Sequence, residues 1–215
     1  MSELMVDAMN LMGYDAMTIG DQDLQLGPDV LRERMAEATF PFLSANVALV
    51  SDGELLAQPY ALRQFGDREV AIIGLTWDFE QQTPAEVAEH YILLEAEDAL
   101  TRYVFELEKQ TDIIVVLSNM GHEEDQRLSS LVPGIDLIVG SRSRNPMPVG
   151  WRNEETGTII VEAGSQGEWL GLRALHLDSA GQVTEYSDEL VTLTPDYADD
   201  PAMRALVDSY GDSGG

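Results

Sequence analysis

The 215-residue chain has no cysteine and a single lysine, Lys109. The first gap excludes disulfides, thiolate nucleophiles and cysteine zinc sites. Basic residues of both kinds number 12 against 39 acidic ones, for a net charge of −27. A surface this negative repels a phosphate backbone, so nucleic-acid binding through charge is excluded. No apolar run approaches the roughly 18 residues that a membrane span requires, so no transmembrane segment is expected. The N-terminus, MSELMVDAMNLMGYDAM, lacks a basic leader and carries Glu3 and Asp7, unlike a signal peptide. Internal repeats and low-complexity segments are also missing.

What is present suffices for a core: 44% of the residues are hydrophobic and 7% aromatic. The acidic residues are scattered and form no single block, which favours a solvated surface of the high-salt kind over a dedicated cation site. Leu4, Met5, Met9 and Met12 have helical spacing, with Gly13 as C-cap. YDAMTIG reads as a short strand, and GPDVLRERMAEA as a helix opened by Pro28. FPFLSANVAL reads as a strand; YALRQFG and REVAIIGLTW read as a hairpin turning at GDR. A long helix is expected from Thr83 as N-cap, with Pro84 first, to about Gln110. DIIVVLSN, IDLIVG and TIIVEAG are apolar runs of the buried parallel type, and EEDQRLSSLV is a helix. LGLRALHLD and VTEYSDELVTL form an antiparallel pair across SAGQ. A last helix begins at Pro201, and the chain frays in DSGG.

Strands alternating with helices indicate a layered α/β domain over residues 1–194, followed by a C-terminal helix and tail over 195–215. Such folds place chemistry in the loops at strand ends, here after Ile19, Leu117, Val139 and Ala163. The first of these, GDQDLQLG, holds Asp21, Gln22 and Asp23. Three histidines offer alternatives. His90 in the long helix and His176 in a strand read as surface or packing residues. His122 lies near a site loop, where a new site with Asp21, Asp23 and Asn119 is conceivable, though a solvated loop histidine is the simpler reading. Glu123–Asp125 opens a helix, where acids are favoured by the dipole without a calcium ion. Asp21 and Asp23 as a glycosidase-type acid pair lack any supporting sugar-site feature.

The loops, in their order, resemble the metallophosphoesterase domain of the 5′-nucleotidase family, within the calcineurin-like superfamily. MNLMGYDAMTIGDQDLQLGPDVL is similar to the stretch around that family's Gly-Asn-His-Glu motif. FPFLSANV, VAIIGLTW, VVLSNMGHEED, VPGIDLIVGSRSR and VEAGSQGEWLGLRALHLD match further family segments, so the likeness runs from about Met9 to Tyr210. It implies an αββα sandwich with mixed sheets and two divalent metal ions that activate water and polarise a phosphate ester. It also implies export, and therefore an extracytoplasmic location.

By the same resemblance, the family's metal-ligand Asn falls on Asp21 and its catalytic His on Gln22. A ligand His falls on Asn119, and a pair of ligand histidines falls on Arg142 and Arg144. The expected Asp-x-His strand, the bridging Asp and the C-terminal nucleotide-binding domain do not occur in these 215 residues, so the sandwich is expected to be incomplete at its N-terminus. Arginine offers no lone pair to a metal. The arginines either neutralise Asp21 or Asp23 in a metal-free network, or hold a small anion bidentately. The expectation is therefore a catalytically inactive family member with no metal cofactor, serving a structural or protein-interaction role and completed by a protein partner or a further segment. The alternatives are a divergent metal-dependent phosphohydrolase, completed in the same way, and an anion-binding module.

Overall fold

The computed structural model describes residues 2–78, 83–178, 181 and 183–211. Its frame is a six-stranded sheet. Four parallel strands, β5 (Arg68–Leu75), β7 (Ile113–Ser118), β8 (Leu137–Gly140) and β10 (Ile159–Glu162), lie side by side. Antiparallel strands β4 (Tyr60–Phe65) and β9 (Trp151–Arg152) close the two edges. The apolar runs become parallel strands because both sheet faces are covered and neither face needs polar residues.

Helices α5 (Ala96–Leu107) and α6 (His122–Leu131) cover one face. Leu100, Tyr103, Val104 and Leu107 recur along one side of α5 and pack with Ile73, Val116, Leu128 and Ile138 in the main core. Against the other face lie two-stranded pieces. Short strands β1 (Met17–Thr18) and β2 (Phe42–Leu43) pair in parallel, and Leu43 packs with Ala61 and Ile72. The hairpin β11 (Trp169–Leu177) and β12 (Val183–Thr192) packs through Leu175, Val183 and Tyr186 onto Leu137, Ile159 and Val161. Outside β1 and β2, α1 (Glu3–Met12) and α3 (Pro28–Glu37) join a second core of Val6, Met9, Ile19, Leu31 and Phe42. The order helix, sheet, sheet, helix is thus the mixed-sheet α/β sandwich expected.

Several elements match the sequence closely. Gly13 caps α1 at φ 71°, and Pro28 opens α3. The final helix, α7 (Pro201–Gly211), packs on α1, where the Tyr210 hydroxyl donates to Asp7 at 2.7 Å. The SAGQ turn, apart from Gly181, and the DSGG tail lie outside the described residues.

Two elements are corrections. The long helix from Thr83 to Gln110 is instead a single turn α4 (Ala85–Ala88), a strand β6 (Tyr91–Leu93) and α5. Pro84 is itself the N-cap, extended at ψ 138°. The helix breaks because Tyr91–Leu93 pairs with β3 (Val47–Leu49), burying Tyr91 in the second core. His90 accordingly sits exposed in the turn before β6 and not in a helix. FPFLSANVAL divides into β2 and β3 because the buried side chains between them bond sideways. Asn46 exchanges two hydrogen bonds with the Thr76 backbone, at 2.8 and 2.9 Å, and the Ser44 and Thr76 hydroxyls meet at 2.9 Å.

Candidate functional site

The loops after β1, β7 and β8 meet at one end of the sheets. Gly20 follows β1 in an extended conformation, and its N–H donates to Asp23 Oδ2 at 3.0 Å, fixing the turn into α2 (Asp21–Leu24). Asp21 is buried at 7% exposure. Its N–H donates to Asn119 Oδ1 at 3.2 Å, tying the first loop to the loop after β7. Asn119 is anchored by its own N–H to the Leu75 carbonyl at 2.9 Å. Its Nδ2 points to Ser141 Oγ at 3.4 Å, and Ser141 donates back to the Ser118 carbonyl at 2.9 Å. One chain of bonds therefore crosses from the first loop to the third.

The third loop carries the arginines in unusual backbone. Arg142 has φ 76° and Arg144 φ 61°, left-handed values that cost a non-glycine residue about 1–2 kcal/mol each. Neighbouring contacts hold them there. The Arg142 guanidinium lies 4.5 Å over the Trp77 ring, and the Arg144 N–H donates to Glu162 Oε1 at 2.8 Å. Asp21, Gln22, Asp23, Asn119, Arg142 and Arg144 line a single cleft of about 460 Å³. The positions singled out in the sequence converge.

His122 takes a different place. It lines an adjoining cleft of about 670 Å³ with Trp77, Ser143 and Arg142, which is the wall common to both clefts. Its N–H donates to Ser143 Oγ at 2.7 Å, and its ring meets Trp151 edge-on at 6.5 Å. The structure thus does not bring His122 into the cleft with Asp21 and Asn119. His176 is exposed on the hairpin, opposite Glu185.

Beneath the loops lie two acids whose part sequence reasoning missed. Asp125, on the first turn of α6, points inward at 1% exposure and accepts the Ser118 hydroxyl at 2.5 Å. Burial pushes its carboxyl up to about 7, with the Ser118 bond opposing the shift. Glu162, at 2% exposure, ends β10. Burial raises it too, against hydrogen bonds from Ser143 and the Arg144 N–H that favour its charge. Trp77 and Ser141 were likewise not singled out. Ser118 and Ser141, small polar residues closing apolar strands, were the available signal.

No protein-family model matches the chain. Individual relatives do. It is 29% identical to Protein UshA of Yersinia enterocolitica over 254 aligned residues, covering 96% of this chain and 46% of that protein. It is 28% identical to the 5′-nucleotidase of Homo sapiens, covering 94% of this chain and 39% of that one. Among solved structures, the 5′-nucleotidase precursor from Thermus thermophilus superposes with a TM-score of 0.86 at 27% identity, over 97% of this chain and 45% of that one. The chain is thus similar to calcineurin-like 5′-nucleotidases along nearly its whole length. It matches the family's N-terminal domain and spans less than half the length of these relatives. The sulfate thiohydrolase SoxB of Thermus thermophilus shares the fold at a TM-score of 0.90 and 23% identity, over 99% of this chain and 39% of that one.

The residues in the cleft do not fit the family's two divalent ions. Asn119 has its amide oxygen turned to the Asp21 N–H, and Asp23 accepts from Gly20. Two guanidinium groups, which cannot ligate, line the same cleft. Among the described residues no three His, Asp or Glu side chains gather in a metal-binding group.

Proposed function

We propose that this chain is a family member without the dinuclear centre, inactive as a phosphoesterase, and serving a structural or protein-interaction role within a larger assembly. The observation that carries this reading is the presence of Arg142 and Arg144 in one cleft with Asp21 and Asn119. A guanidinium repels a dication in contact with it by on the order of several kcal/mol, even in a partly wet cleft. The same charges suit neutralising the cleft's aspartates, so the loops keep their family arrangement with fixed cations in place of metal. No metal cofactor is required. One relative is described as a 5′-nucleotidase precursor, which supports an extracytoplasmic place for this chain as well.

Metal analysis of the purified chain, joined to turnover assays on nucleotides and a generic phosphate ester, tests the reading. The expected result is substoichiometric metal and no turnover above background. Stoichiometric manganese, zinc or iron with turnover would establish the divergent phosphohydrolase instead.

One feature favours a second reading, capture of a small oxyanion or carboxylate. Arg144 is exposed within the cleft, and its backbone is pinned by Glu162, so its guanidinium is presented and not folded away. Phosphate and sulfate should then raise the melting temperature of the native chain, and Arg144→Ala should abolish the rise. An unchanged rise in the variant would count against anion capture.

A further inference from the structure

Three strand ends meet under the cleft, and one acid sits on all of them. Ser118, Gly140 and Glu162 pair in register across β7, β8 and β10. Asp125 packs over this row. Its Oδ2 lies so near Gly140 that a Cβ added there would meet it at 2.7 Å. Its Oδ1 takes the Ser118 hydroxyl, whose oxygen in turn accepts the Met120 N–H at 3.1 Å. Oδ2 is buried and makes no hydrogen bond among the described residues.

The surroundings favour a proton on this group. The charged residues facing Asp125 are Glu162 on β10 and Glu124 beside it on α6, and both are acidic. β7 presents the neutral hydroxyl of Ser118, and β8 presents glycine. His122, at the start of α6, lies by Glu162. A carboxylate with one oxygen unsolvated and two acids nearby is costly, and the neutral acid costs less.

We propose that Asp125 is a proton-operated latch for the two loops that present Asn119, Arg142 and Arg144. Asp125 accepts from Ser118, more strongly when ionised, and Ser118 holds the start of the Asn119–Gly121 loop through Met120. Ser141, bonded to the Ser118 carbonyl, and Ser143, bonded to the His122 N–H, join the third loop to the same point. Ionisation places a negative charge beside Glu162, the group that anchors Ser143 and the Arg144 N–H. The third loop's anchor at Glu162 then loosens, while the Ser118 bond that leads to the Asn119–Gly121 loop tightens, so both loops respond to the one proton. The sign follows from the raised carboxyl. The folded state holds the proton more tightly than the unfolded chain, so this group's contribution to stability is fully present below about pH 4 and is lost as the pH rises through about 7. The device concerns loop order. It does not depend on whether the cleft binds a metal, an anion or a protein.

Carboxyl 13C and amide 15N NMR titrations of the whole chain test it. The Asp125 carboxyl is expected to titrate with a midpoint near 7, and the Met120 and Arg144 amides are expected to shift with the same midpoint. Ser118→Ala removes a bond that favours the ionised form, so it should move that midpoint upward. Asp125→Asn should abolish the amide transition. Should Asp125→Asn not fold, Ser118→Ala carries the test alone. His122→Gln, which removes the imidazole beside Glu162, should leave the transition in place. An Asp125 midpoint below 5, flat Met120 and Arg144 amides, a midpoint unmoved in Ser118→Ala, or a transition lost in His122→Gln would each overturn the latch.

Discussion

At the residue scale the cleft is a matter of which atom each side chain offers. Asn119 still ties two loops together, through an oxygen turned to a backbone N–H. Arg142 and Arg144 accept left-handed backbone, and stacking on Trp77 and the bond to Glu162 hold it. Their convergence with Asp21 and Gln22 was legible in the sequence through the family resemblance of their loops, not through strand order, since β1 lies outside the six-stranded sheet. Asp125 was not legible. An acid on the first turn of a helix reads as a dipole partner, and only packing against Gly140 shows it to be buried. Packing decides Gly74 also, where a Cβ would lie 2.6 Å from the Leu43 backbone. Backbone cannot yield as a flexible side chain can. Gly74→Ala should therefore destabilise the chain by about 1–3 kcal/mol or more, read by denaturant unfolding.

Elements were legible where one period ran unbroken. The apolar runs of β7, β8 and β10 and the amphipathic helices α1 and α3 stand where the sequence places them. The segment from Thr83 to Gln110 does not, because its helical periodicity spans a strand. Tyr91–Leu93 is too short to assert its own period, and its partner β3 is some forty residues earlier in the chain. The strand β9, two residues long, was invisible for the same reason. α5 keeps the clean part of the pattern, with Leu100 fully buried at its centre. Leu100→Ala should cost about 2–5 kcal/mol, the loss for emptying a tight core site. A cost below about 1 kcal/mol in denaturant unfolding would mean that α5 packs loosely against the sheet.

At the scale of the whole molecule, two cores are stacked on either side of a sheet-to-sheet contact. The architecture matches that of the family's N-terminal domain. In the proposed reading, fold and function separate. The layers depend on apolar periodicity, which the sequence retains, while the family's metal chemistry depends on a few imidazoles and amides in loops. Asp21, Gln22, Asn119, Arg142 and Arg144 line one cleft, and in the proposed reading they keep the positions of the family's site with changed chemistry. The net charge of −27 would by itself draw dications to the surface, so weak, salt-sensitive association says nothing about the cleft. Calorimetric titration of the whole chain with manganese at moderate salt separates the cases most directly. The account predicts no saturable tight binding in the native chain, and no change in the weak background in Asp21→Asn. Saturable binding of two ions per chain that Asp21→Asn abolishes would contradict it.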